Sequence, residues 1–188
     1  MGTLETDIAS APAENNLLHF GTTFSYGSKI YEIEGVDSFF RIAVDTPDGI
    51  CLAQNVASTE GNLNIKKLFE RADFKHNVEA IKIFDHFQRE KLSQIKPEDM
   101  EKLIDELSLS SKAELENEDY EKIARSQSEE KSFKLVFKLK DSPDYTLYII
   151  PEMNISMIGD SRLYLPHTFN ELFNNYFEDL KQGAPLMY

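Results

Sequence analysis

The sequence predicts an α+β protein: an antiparallel sheet from two β-meanders flanking a helical block, closed by a C-terminal amphipathic helix. Three observations carry this. Residues 17–56 and 132–165 are rich in aromatic and β-branched residues, with stretches that change side every second residue, the period of a strand. Residues 62–130 and 166–180 repeat apolar residues every three or four positions, the period of a helix. Strands grouped together, rather than alternating singly with helices, pair as an antiparallel sheet with helices to one side.

At roughly 100–200 residues per domain, the 188 residues suit a single domain over 17–188 with an acidic helical insertion at about 62–130. Residues 1–16 are small, polar and without a base, so they read as a disordered tail and not as a secretory signal. Gly2 opens a loose M-G-x-x-x-[ST] myristoylation pattern, but the neighbouring acids oppose an anionic membrane.

The first strands are expected at His19–Tyr26 and Ile30–Ile33. Phe40, Ile42 and Val44 share a face of the next, and Thr46-Pro47-Asp48-Gly49 turns it into a partner running from Ile50 to Val56. Thr59-Glu60-Gly61 ends the β region. Leu63, Ile65, Leu68 and Phe69 begin a helix, and Asp73 caps a second with Ala80, Ile81, Phe84 and Phe87 as its stripe and Asp85 and Arg89 as an i,i+4 pair. Pro97 opens a third, with Met100, Leu103, Ile104 and Leu107 inward. Ser111 and Glu114 have capping-box spacing for a fourth that reaches about Arg125. A three-strand meander follows, with Phe133, Leu135, Phe137 and Leu139 on one face and Lys134, Val136, Lys138 and Lys140 on the other. It turns at Asp141-Ser142-Pro143-Asp144 and continues through Tyr145–Pro151 and Ile155–Leu165. Thr168 and Glu171 cap the last helix, whose stripe of Phe169, Leu172, Phe173, Tyr176, Phe177 and Leu180 is expected in the core and ends before Gly183.

Composition narrows function. With 41% hydrophobic and 28% charged residues, the chain resembles an ordinary soluble globular protein. No stretch reaches the roughly 20 apolar residues of a membrane span. A net charge of −13 speaks against nucleic-acid backbones as partners. The lone Cys51 excludes an intrachain disulfide and a CxxC zinc site, and suits a reducing, cytoplasmic compartment.

Candidate sites are few. Cys51, inside an apolar strand, is expected to be a small buried hydrophobe; as a nucleophile it would need His76 or His86 as base. His19, His76, His86 and His167 show no metal-ligating spacing, and His76 and His86, ten apart, would stand about 15 Å apart along a helix. Phosphate loops, nucleophile elbows, zinc and calcium motifs are absent, so no cofactor and no metal is expected. The acidic block is the main anomaly. Residues 97–130 carry twelve acids against four bases, a net of −8 within the chain's −13. Such a block is either a solvated helical surface or a dock that draws and selects an oppositely charged partner.

The expected function is a non-catalytic protein-binding module of chaperone, inhibitor, immunity or effector type. It would dock a basic protein through Glu114, Glu116, Glu118, Asp119 and Glu121. The alternatives are a small-molecule sensor, with Phe40, Ile42, Phe84 and Phe87 lining a pocket between sheet and helices, and a hydrolase or transferase using Cys51 with His76 or His86. In element order alone, the chain is similar both to small acidic secretion chaperones and to PAS or GAF sensor domains, with no shared motif.

Overall fold

A computed structural model describes residues 2–3, 28–54, 65–178 and 180. The architecture is α+β, with a four-stranded and a seven-stranded antiparallel sheet. The chain divides into two compact units, Met1–Gly61 and Asn62–Tyr188.

The first unit holds β1 (Gly2–Thr3), β2 (Lys29–Tyr31), β3 (Arg41–Thr46) and β4 (Gly49–Gln54), side by side in that order. The β3–β4 hairpin forms where Thr-Pro-Asp-Gly demands it. Thr46 lies opposite Gly49, its hydroxyl donates to the Gly49 carbonyl at 2.8 Å, and Gly49 takes a φ of +119° that few other residues tolerate. A small core joins Ile30 and Val44 to Ile42 and Ala53. Arg41 is buried at the other end of β3, where its Nε and Nη2 both donate to Gln54 Oε1 at 3.2 and 2.8 Å. Of the expected tail, Gly2 and Thr3 run antiparallel to β2. The rest of it, including Leu4 to Thr6 of the acylation pattern, lies outside the described residues, as do His19–Tyr26 and Gly183.

The second unit runs α1 (Ile65–Arg71), α2 (Phe74–Asn77), β5 (Val78–Asp85), β6 (Lys91–Gln94), α3 (Pro97–Ser108), β7 (Ser111–Lys112), α4 (Asn117–Ser128), β8 (Phe133–Leu139), β9 (Ser142–Ile150), β10 (Ile155–Ile158), β11 (Ser161–Tyr164), α5 (His167–Phe173) and α6 (Asn175–Glu178). Its sheet order is β6-β5-β8-β9-β10-β11-β7. One face packs the main core: Ile81 and Ile83, then Phe133, Leu135 and Phe137, then Tyr145, Leu147 and Ile149, all buried. Phe69 and Phe74, stacked at 4.2 Å, lie against Phe137 and Tyr145, while Phe177 meets Phe133 at 5.4 Å. On the opposite face α4 sets Ile123 against Ile150, Ile155 and Met157.

Four local expectations are corrected. The helix expected from Asp73 to Arg89 is one turn, α2, followed by the strand β5, because Ile81 and Ile83 enter the core in alternation and the segment pairs with β8 along its length. Asp85 and Arg89 do pair, at 3.1 Å, but across the β5–β6 turn. Ser111 and Glu114 form no capping box: Ser111 and Lys112 pair with β11, and the helix starts at Asn117, where the Glu116 N–H donates to the Asp119 carboxylate at 3.1 Å. The last strand of the meander is two strands, β10 and β11, joined at Gly159 and Asp160, so the group has four. The final helix divides at Asn174, and Thr168 donates to Glu106 Oε2 at 2.6 Å instead of capping. Its aromatic stripe is core: Phe169, Phe173 and Phe177 are fully buried.

Candidate functional site

The acidic block separates into two parts with different roles. In α3 four of the five carboxylates are tied to other elements of the fold. Glu101 and Asp105 hold Lys75 at 3.2 and 2.7 Å, Glu106 accepts from Thr168, and Asp99 accepts from Tyr176 at 2.6 Å. Those hydrogen bonds to Asp105 and Glu101 keep the Lys75 ammonium above its ordinary pKa.

The part from Leu109 to Glu121 faces water. Its inner side is short: Ala113 donates its N–H to the Arg162 carbonyl at 2.9 Å, Leu115 packs on the α4 cluster, and Ile123 is the helix's one buried apolar residue. Everything expected at the dock lies outside that seam. Glu114, Glu116, Glu118 and Glu121 are exposed and Asp119 is half-buried. Glu116 and Asp119 close the capping box, and Glu118 and Asp119 share Lys122 at 3.2 and 3.6 Å. Glu114 and Glu121 make no ion pair among the described residues.

Three apolar residues that sequence reasoning did not assign to the site lie in or beside this segment. Leu109 is 63% exposed, Tyr120 52% and Tyr164 38%. Tyr164 stands on β11 opposite Ser111 of β7 and donates its hydroxyl to the Glu114 carbonyl at 3.0 Å, so it belongs to the same sheet edge. Leu109 follows the last turn of α3, where the chain leaves the core. Its signal in the sequence is an apolar residue displaced from the Leu103-Ile104-Leu107 stripe and followed by two serines.

The catalytic candidates have other surroundings. Cys51 is exposed on β4, contrary to the buried thiol expected, because β4 is an edge strand; its Sγ lies 3.8 Å from Thr46 Oγ1. It belongs to the first unit, whereas both histidines belong to the second. His76 Nδ1 and Asp73 Oδ1 are 2.7 Å apart, with Asp73 in the left-handed region at φ 47°. His86 is half-buried against the rings of Phe87 and Tyr148, with Nδ1 3.0 Å from the buried Ser132 hydroxyl. Loss of hydration holds its pKa below the usual value, opposed by Asp85 and aided by Lys134.

An open cleft of about 330 Å³ lies between α1, α2 and α3. Phe69, Phe74 and Ile104 form its floor, and Lys66, Asp73 and His76 stand on its rim. It is not lined by Phe40, Ile42, Phe84 or Phe87: the first two are in the first unit, while Phe84 and Phe87 sit at the end of β5 and in the turn after it. Among the described residues no group of three His, Cys, Asp or Glu is arranged to hold a metal ion, and no helix is long and apolar enough to cross a membrane. Compared with protein-family models, curated proteins and solved structures, the chain matches none of them.

Proposed function

We propose that this protein is a non-catalytic binding module that docks a basic protein partner on the sheet edge formed by β7, β11 and the start of α4. The supporting observation is the coincidence of exposed carboxylates, of which Glu114 and Glu121 make no ion pair among the described residues, with exposed Leu109, Tyr120 and Tyr164. A docking surface uses both kinds of side chain. Aromatic residues supply contact area, and the charges speed encounter and reject acidic competitors. Asp99, Glu101, Asp105 and Glu106 of α3, committed to Tyr176, Lys75 and Thr168, are left out of the dock.

Native mass spectrometry of the protein isolated gently from its source identifies the partner, and titration calorimetry then measures affinity against salt. Converting Glu114, Glu116, Glu118 and Glu121 to Gln together is expected to weaken binding by at least about tenfold and to flatten its salt dependence. Unchanged affinity in that variant overturns the reading. A second reading, small-molecule sensing, rests on the cleft between α1, α2 and α3. A retained ligand whose binding is lost in a Phe74→Leu variant that keeps its fold favours that reading.

A further inference from the structure

We propose that the outer edge of β4 is a self-association site, to which a second copy of this chain adds its own β4 in antiparallel sense. β4 ends the four-stranded sheet, and among the described residues nothing pairs with its outer side. An edge strand exposes N–H and C=O groups that template another strand, so proteins blunt it with lysine, proline or a bulge. β4 has none of these. Its register against β3 is unbroken, and its six residues, GICLAQ, hold no charge and no proline. Ile50 is 74% exposed and Leu52 47%.

Charge and register together select the occupant. Copies carrying −13 each repel one another, so they can seat only where acids are not brought face to face, and uncharged β4 is such a place. The closing pair of the hairpin, Thr46 and Gly49, is a bonded pair, and bonded and non-bonded pairs alternate along an antiparallel ladder. Val44 and Cys51 are therefore bonded, so the backbone groups of Cys51 turn inward to β3 while those of Ile50 and Leu52 turn outward. A two-fold axis through Cys51 uses those outward groups. It sets Ile50 of each copy opposite Leu52 of the other in reciprocal backbone hydrogen bonds, and gathers these side chains on one face. Asp48 then meets Gln54 of the second copy, and no acid meets an acid. At the axis the two Cys51 residues form the non-bonded pair, with Cα atoms about 4.5 Å apart, within the roughly 4.4–6.8 Å a disulfide spans.

The test uses the full chain. Sedimentation equilibrium under reducing conditions is expected to show a monomer–dimer equilibrium that tightens as salt screens the like charges. Docking of a basic partner responds to salt in the opposite sense, so failure of one proposal is distinct from failure of the other. Leu52→Lys restores a charged edge and loosens the dimer by at least about tenfold. Diamide, which takes the two thiol hydrogens of facing cysteines and leaves the disulfide, is expected to link Cys51 to Cys51. The double variant Cys51→Ser, Ala53→Cys, whose thiols are out of register, is expected to link at least about tenfold more slowly. A chain that stays monomeric at every concentration overturns the proposal, and so does equal linking at positions 51 and 53, which marks random encounter. Should Leu52→Lys lose its fold by circular dichroism, the comparison of thiol positions decides.

Discussion

The Tyr176 hydroxyl donates to Asp99 Oδ2 at 2.6 Å and accepts the Lys96 N–H at 3.2 Å, tying α6 to the first turn of α3 across 77 residues of sequence. Tyr176→Phe leaves the ring in place and removes both bonds. It is expected to lower stability by about 1–2 kcal/mol in urea unfolding. Burial first, and the bond to Asp99 second, raise the Tyr176 pKa above 10.0. A raised folded pKa means that this contribution is complete below pH 10 and is lost as pH climbs through the folded value. The alkaline decline in the urea midpoint should shrink in the Phe variant; an identical decline would show that the bond is not what titrates.

His86 sets the opposite limb. Loss of hydration depresses its pKa below 6.5, so folding resists its protonation. Its contribution is complete above pH 6.5 and is lost as pH falls through the folded value. His86→Gln keeps an acceptor for Ser132 and is expected to flatten the acid decline between about pH 7 and 5. Ring-proton NMR of the parent gives the pKa directly, and a value at or above 6.5 would contradict the burial described.

Phe173 packs between Phe169 at 5.3 Å and Tyr176 at 6.3 Å, with 1% of its surface exposed. Phe173→Ala opens a cavity where the last helices meet the sheet and is expected to cost about 3–5 kcal/mol. A thermal melt like that of the parent would remove the C-terminal helices from the core.

The dock should be separable from the fold it stands on. Asp119→Ala breaks the capping box with Glu116 and is expected to cost about 1 kcal/mol. Glu121→Gln, on the exposed side of the same helix, should change stability by less than about 0.5 kcal/mol and still weaken partner binding. Both stabilities are read by urea unfolding followed with circular dichroism, and the binding by titration calorimetry.

What could be read from the sequence is what local chemistry decides. Thr46-Pro47-Asp48-Gly49 specified the hairpin, Pro97 the start of α3, and the alternation of Phe133, Leu135, Phe137 and Leu139 the central strand β8. Residues 78–85 are ambiguous in the sequence because VEAIKIFD satisfies both periods. Ala80, Ile81 and Phe84 fit a helix, while Ile81 and Ile83 fit a strand, and only pairing with β8 chooses between them. Ser111 and Glu114 had cap spacing too, but lie where β11 offers a free edge. The acids of the candidate site were legible as a run of charge. Which of them are engaged, Glu101 and Asp105 by Lys75 but not Glu114 or Glu121, depends on contacts made far along the chain. Tyr164 is 50 residues from Glu114 and could not be associated with it without the sheet.

The single apolar anchor of α4 sets how that helix opens. Ile123, the Ser126 hydroxyl on Glu152 at 2.7 Å and the Glu116–Asp119 cap hold it, whereas the strands beneath are shared with the main core. Its amides are therefore expected to exchange with solvent through a local unfolding step of lower free energy than global denaturation, while those of β8 and β9 wait for the whole unit. A ligand seated on Glu114, Tyr120 and Glu121 would slow exchange in α4 and leave the strand amides as they were. The helix that carries the charge would then act as a protection-factor reporter of occupancy.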